Sequence, residues 1–194
     1  MKTFTGRLST SKSLSRFIVS DAGELSLVSL LLLGAAVALV HDRLDFALGM
    51  PGHHGLEWMT VLLFARFTSR RTWVAVIVAV GAAGTDLGLA GNLMHTAAKI
   101  PLYCASAAMV DVLYMALPRR WRNISAGALI GVLAHCTRIV IMALLAVAGV
   151  KFGVFRNGLL FPLTAYAGFG LVGGACGTLL AQAWLRAGPG RRRA

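Results

Sequence analysis

The feature that most constrains this chain is a series of long apolar stretches separated by short basic ones. The first, at 25–41, reads LSLVSLLLLGAAVALVH. A helix needs about 20 apolar residues to cross a bilayer core, and fewer when its flanking residues reach the interface. The pattern therefore predicts an all-α, polytopic transmembrane helix bundle of about six spans, of which the second is the shortest. The other five segments are at roughly 56–68, 73–90, 100–117, 124–149 and 159–185.

Composition agrees with a membrane protein. The 194 residues are 57% hydrophobic and 13% charged, whereas soluble domains carry about 25% charged residues. The net charge of +12 would suit a nucleic-acid partner. The basic residues punctuate the apolar segments instead of lining one face, so we predict contact with membrane lipids and no nucleic acid. No CxxC or zinc spacing involves the three cysteines, Cys104, Cys136 and Cys176.

The positions of Lys and Arg predict the orientation. With the N-terminus inside, fourteen of the nineteen fall in cytoplasmic parts, four fall in outside loops, and Arg138 lies within a span. Such an excess marks the cytoplasmic side of a membrane protein. We therefore predict a multi-pass protein of the cell (inner) membrane with both termini cytoplasmic. Its parts are an N-terminal segment 1–24, a six-helix domain 25–186 and a basic tail 187–194.

Most of the non-basic polar residues fall in loops that this topology places outside. The stretch MPGHHGLEWM, at 50–59, begins the second segment and contains two histidines and a glutamate. We predict that these groups line an outward-facing substrate site, with Arg138 at its deepest point. The alternative interpretation is a set of ordinary solvated loop residues. The predicted substrate-binding residues are His53, His54, Glu57, His95 and Arg138.

The same stretch raises the question of a metal site. Histidine and carboxylate are suitable ligands for transition metals, and His53 and Glu57 have the i, i+4 spacing that puts two side chains on one helix face. Adjacent histidines on a helix, however, point about 100° apart. We therefore predict no metal and no cofactor.

Arg138 is unusual because an arginine inside a span normally faces a partner or a cavity. His135 precedes it by about one turn, and the antiparallel fourth segment brings Tyr103 and Cys104 to a similar depth. Asp111 lies nearer the cytoplasmic end and is a less direct partner. A structural Arg–Asp pair is the alternative to a functional site.

The layout resembles the substrate-binding S components of energy-coupling factor transporters, which import vitamins and metal ions. The resemblance is carried by GLEWMTVLLFARFTSRRTWVAVIVAVGAAGTDLG and by the glycine-rich last helix, FPLTAYAGFGLVGGACGTLLA. It implies uptake of a small polar, vitamin-like molecule with a transmembrane coupling subunit and an ATPase pair. It also implies that Gly34 and Ala38 dock on the coupling subunit. The N-terminal Met-His hook of the nickel and cobalt members is missing.

A second resemblance points to an enzyme. LYCASAAM and AHCTRIVIMALL are similar to the Cys and Arg blocks of exosortases and archaeosortases, which are membrane transpeptidases. This resemblance implies Cys104 as nucleophile and Arg138 as oxyanion partner. The family's histidine follows its arginine, so His135 or His95 would have to replace it here.

Sequence motifs do not decide between these classes. The chain contains no P-loop, GxSxG or HExxH pattern, so we expect no ATPase activity of its own. A non-catalytic membrane assembly subunit is the third interpretation. The sequence favours a binding subunit over an enzyme and leaves both open.

Overall fold

The computed structural model describes residues 25–44, 50–89, 93–149, 153–155 and 158–187. These residues form six α-helices and two short 3-10 segments, at Arg119–Trp121 and Gly153–Phe155. The predicted all-α class and the number of helices are confirmed. The predicted segment 1–24 lies outside the described residues, as does the predicted tail 187–194 except for Ala187, which ends the last helix. The helices are α1 (Leu27–Leu44), α2 (Gly55–Thr68), α3 (Val74–Leu89), α4 (Leu93–Ala116), α5 (Ile124–Val147) and α6 (Leu160–Ala187).

The shortest helix, α2, lies at the centre of the bundle. It contacts all five other helices, and its largest interface is with α6. Eight of its 14 residues are buried. Protein therefore surrounds α2 on most sides, although α6, the helix of its largest interface, is twice as long.

Glycines set the closest helix contacts. A Cβ on Gly131 of α5 would overlap the carbonyl oxygen of Gly170 of α6, and a Cβ on Gly127 would overlap the Thr178 side chain. Backbones that approach this closely leave no space for a side chain, which is the usual role of small residues between membrane helices. The glycine-rich face of α6 is therefore used inside the chain.

The same packing corrects the expectation for α1. A Cβ on Gly34 would overlap the carbonyl oxygen of Val78 in α3. Ala38, one turn later, is 6% exposed. Both positions belong to the α1–α3 interface, so the predicted docking face for a coupling subunit is already covered by this chain.

A buried ion pair joins the ends of α2 and α4. Arg66 Nε lies 3.5 Å from Asp111 Oδ1, and Asp111 Oδ2 accepts a hydrogen bond from the backbone N–H of Val76 at 3.0 Å. The carboxylate thus lies at the N-terminus of α3, where the helix dipole favours negative charge. The candidate pairing of Asp111 with Arg138 is wrong, because Arg66 occupies that role.

Two helices, α5 and α6, are long and apolar enough to cross a membrane, judged by length and composition. Their mean hydropathy over the best window is 2.1 and 1.4. The helix α3 and residues 100–116 of α4 are shorter apolar segments. These features support membrane association.

Candidate functional site

Two histidines and a glutamate meet at one end of the bundle. His41 is in the last turn of α1, His54 directly precedes α2, and Glu57 is in the first turn of α2. His41 Nδ1 lies 2.7 Å from Glu57 Oε1, and His54 Nδ1 lies 3.6 Å from the same oxygen. The two imidazole rings contact edge to face, with centroids 4.0 Å apart. All three side chains are partly buried.

The turn before α2 places these groups. Gly52 adopts φ of +80°, a conformation that favours glycine. Its carbonyl oxygen accepts a hydrogen bond at 2.8 Å from the backbone N–H of Gly55, the first residue of α2. His135 Nε2 of α5 donates to the Gly52 carbonyl oxygen at 3.0 Å. Tyr166 of α6 packs directly on Gly52 and stacks on His135 with ring centroids 4.5 Å apart. α5 and α6 together hold the turn.

This anchoring makes the turn a recessed one. His135, which bonds the turn, is followed by twelve more residues of α5. At 1.5 Å per residue, α5 continues for about 18 Å beyond that point. The stretch MPGHHGLEWM therefore lies below the C-terminal end of α5 and not level with it.

Two cavities adjoin the histidines. The smaller has a volume of about 20 Å³. The larger is a groove of about 610 Å³ between α1 and α2, with His53, His54 and Glu57 at its head and apolar side chains such as Val40 and Val61 along its walls. The smaller cavity is lined by Val37, Ala38, His41, His54, Glu57, Trp58, Ala82, Asp86 and Tyr103.

Glu57 is the acceptor that joins the two imidazoles. Its Oε1 lies beside Nδ1 of both His41 and His54. The side chain is in the first turn of α2, where the helix dipole favours a negative charge. The carboxylate is therefore placed to act as an acceptor or a ligand.

The other predicted loop residues differ in their placement. His53 lines the groove, donates from Nδ1 to the Met50 carbonyl oxygen at 2.7 Å, and contacts His54 ring to ring. Its buried Nε2 has no hydrogen-bond partner among the described residues. The predicted i, i+4 pairing of His53 with Glu57 is replaced by the i, i+3 contact of His54. The side chain of His95 lies outside the described residues, so its predicted role stays a prediction.

Arg138 packs on Tyr103, next to the small cavity. Its guanidinium lies over the Tyr103 ring, 5.0 Å from the centroid, and Tyr103 lines the small cavity that Arg138 does not line. The predicted match in depth between Arg138 and Tyr103 is confirmed. Arg138 is not the innermost group of the site, because it lies one turn nearer the C-terminal end of α5 than His135, which is hydrogen-bonded to Gly52.

The members of the alternative catalytic set, Cys104, Arg138 and His135, have other contacts in the bundle. Cys104 is partly buried against the hydrophobic core and does not line the small cavity. His135 is fully buried and holds Gly52 and Tyr166. It is therefore a positioning residue for the turn in this structure, whatever the role of Cys104.

His41 and Asp86 are the residues that our site prediction missed. Both lie near the C-terminal ends of their helices, α1 and α3, where the sequence shows only polar residues at the edge of an apolar run. The direction in which each helix runs through the bundle would have identified them. α1 and α3 run in the same direction, so their C-terminal ends meet the N-terminal end of the antiparallel α2.

No family model, curated protein or solved structure matches this chain. The candidate site is therefore interpreted from its own geometry.

Proposed function

We propose that this protein is an integral membrane substrate-binding subunit for uptake of a small polar, vitamin-like molecule. It works with a separate transmembrane coupling subunit and an ATPase pair, as the resemblance to S components implies. The observation that carries the proposal is the convergence of His41, His54, Glu57 and Asp86 beside a groove of about 610 Å³. Pockets of about 300–1,000 Å³ with a few polar groups on apolar walls are typical of small-molecule sites.

The surface of the bundle supports a multi-pass arrangement in the cell (inner) membrane. Large apolar side chains are exposed on every one of the six helices, which in water would form patches well beyond those of soluble monomers. Against lipid tails the same surface costs nothing. The most exposed of them include Leu32, Val80, Leu129, Val140, Leu144, Leu160 and Leu180.

The basic end of the bundle supports the predicted orientation. Arg66 and Arg122 both lie over the Tyr114 ring, at 4.2 and 4.1 Å from its centroid. This group lies at the opposite end of the bundle from His41 and Glu57. By the positive-inside rule that end faces the cytoplasm, so the histidine end receives substrate from outside.

Recognition follows from the two parts of the groove. The apolar walls of α1 and α2 hold the body of the substrate, and the imidazoles and the Glu57 carboxylate at its head bind a polar group. The polar head of the groove lies below the C-terminal end of α5, because the turn that carries it is recessed. Solvent is thus reduced where the polar contacts form, and those contacts strengthen.

A membrane transpeptidase is the second candidate function, because one specific contact favours it. Arg138 lies against Tyr103, the residue directly before Cys104, which brings the arginine to the same part of α4 as the thiol. The enzyme requires a base, and His135 is committed to Gly52. The substrate-binding function is therefore the better supported of the two.

Co-purification tests the proposal directly. The full chain with an affinity tag is extracted from its native membrane in mild detergent, and the bound proteins and small molecules are identified by mass spectrometry. We expect an ATPase pair, a coupling subunit and one small polar molecule, all retained by Cys104→Ala. A covalent acyl intermediate on Cys104, lost in Cys104→Ala, would instead establish the transpeptidase.

A further inference from the structure

We propose that His41, His54 and Glu57 bind one divalent transition-metal cation, with Zn²⁺ as its representative. This inference goes beyond the substrate-binding function and does not rest on it, because it needs only the geometry of three side chains. It also differs from our prediction from the sequence, which was that no metal is bound; the spacing considered there joined His53 to Glu57 and did not include His41.

The three side chains have the spacing of a ligand set. One ligand atom from each lies within 4.8 Å of the other two. Around a tetrahedral Zn²⁺ with bonds of about 2.0–2.1 Å, neighbouring ligand atoms lie about 3.3 Å apart. The observed separations of 2.7 and 3.6 Å from Glu57 Oε1 fall on either side of that value. Small side-chain rotations therefore suffice to bind the ion.

The choice of ligands favours a transition metal. Imidazole nitrogen and carboxylate oxygen together suit Zn²⁺, Co²⁺ and Fe²⁺, whereas Mg²⁺ and Ca²⁺ prefer oxygen ligands throughout. The cation replaces the proton shared by His41 Nδ1 and Glu57 Oε1, and that proton passes to solvent. Asp86 lines the same small cavity and adds a second negative charge near the ion.

The small cavity provides room for the remaining coordination. Its volume of about 20 Å³ is bordered by all three proposed ligands. About 10–15 Å³ is enough for one water molecule. Three protein ligands and a water-filled fourth position are typical of a zinc ion that exchanges or binds an external molecule, in contrast to closed structural sites.

The backbone holds two of the ligands in place. His54 and Glu57 flank the start of α2, where the Gly52 turn is held by His135 and Tyr166. His41 is brought to them by the packing of α1 on α3. The site is therefore formed by the fold itself and does not require a rearrangement of the helices.

Zinc titration of the full chain tests this inference. The protein is purified in detergent with a tag that lacks histidine, stripped with a chelator, and titrated with Zn²⁺ against a chromophoric competitor. The variants are His41→Gln, His54→Gln and Glu57→Gln. His53→Gln is the matched control, since His53 adjoins His54 but lies outside the ligand set. Mg²⁺ is the control ion, and circular dichroism checks that each variant is folded.

We expect one Zn²⁺ per parent chain, at least a tenfold loss of affinity in each ligand variant, and less than a twofold change in His53→Gln. Substitution with Co²⁺ should add an absorption spectrum of mixed nitrogen and oxygen ligands, which reports on the parent even if a variant fails to fold. The proposal is overturned if the parent binds no Zn²⁺, or if His53→Gln loses as much affinity as His54→Gln. Since no organic substrate is present, either result is independent of the uptake proposal.

Discussion

The Nε2 of His135 in α5 lies 3.0 Å from the carbonyl oxygen of Gly52, eighty-three residues earlier in the chain. This hydrogen bond joins the α5–α6 pair to the turn that presents His54 and Glu57. It also defines the depth at which α2 begins.

Replacement of His135 should therefore weaken the anchoring of the turn. In His135→Leu the hydrogen bond is lost, at a cost of about 1 kcal/mol, and so is the stacking on Tyr166, worth about 0.5–1.5 kcal/mol. We expect a lower thermal unfolding temperature in detergent and weaker Zn²⁺ binding, although His135 is not a ligand. An unchanged unfolding temperature would show that the turn is held by other contacts.

Two glycines provide a matched test of helix packing. Gly131→Ala places a methyl group against the carbonyl oxygen of Gly170 and should destabilise the fold by about 1–3 kcal/mol. Gly168→Ala, on the exposed side of α6, meets no atom within 4 Å and should be neutral or stabilise by up to about 1 kcal/mol. Denaturation of both variants measures the difference. Equal effects would be inconsistent with the close α5–α6 contact.

Replacement of Arg66 should destabilise the fold more than replacement of Arg138. Arg66→Leu leaves the fully buried Asp111 without its cationic partner, which should cost about 3–5 kcal/mol. Asp111→Asn in that background should restore part of the loss. Arg138→Leu removes a contact with the Tyr103 ring and leaves no buried carboxylate without a partner, so its cost should stay below about 2 kcal/mol. A larger loss for Arg138→Leu than for Arg66→Leu would reverse the assignment of the structural pair.

Hydropathy and charge predicted the helices well, since each helix is a local stretch with an apolar surface. The bounds of α2, α3 and α5 differ from the predicted ones by no more than two residues. α4 begins at Leu93, seven residues before the predicted start, because polar residues such as His95 and Lys99 interrupt the apolar signal without ending the helix.

The partners of the polar side chains could not be predicted in the same way. Glu57 was identified from its place at a helix start, but its closest partner, His41, lies on another helix. Asp111 likewise pairs with Arg66 and not with the more conspicuous Arg138. Such pairings depend on which helices are neighbours, and α2 occupies the centre for reasons of packing that no local pattern records.

The proposed uptake requires that the end of the bundle with His41 and Glu57 faces outside. We would place single cysteines in a variant without Cys104, Cys136 and Cys176. The reporters are Leu159 before α6 and Arg70 after α2, both exposed; Ser69 is only 3% exposed and would react poorly.

Labelling with a membrane-impermeant maleimide is then the most direct measurement. In intact spheroplasts, Leu159→Cys should react at once, and Arg70→Cys should react only after the membrane is permeabilised. Reaction of Arg70→Cys from outside, with Leu159→Cys protected, would invert the bundle and rule out uptake through the histidine end.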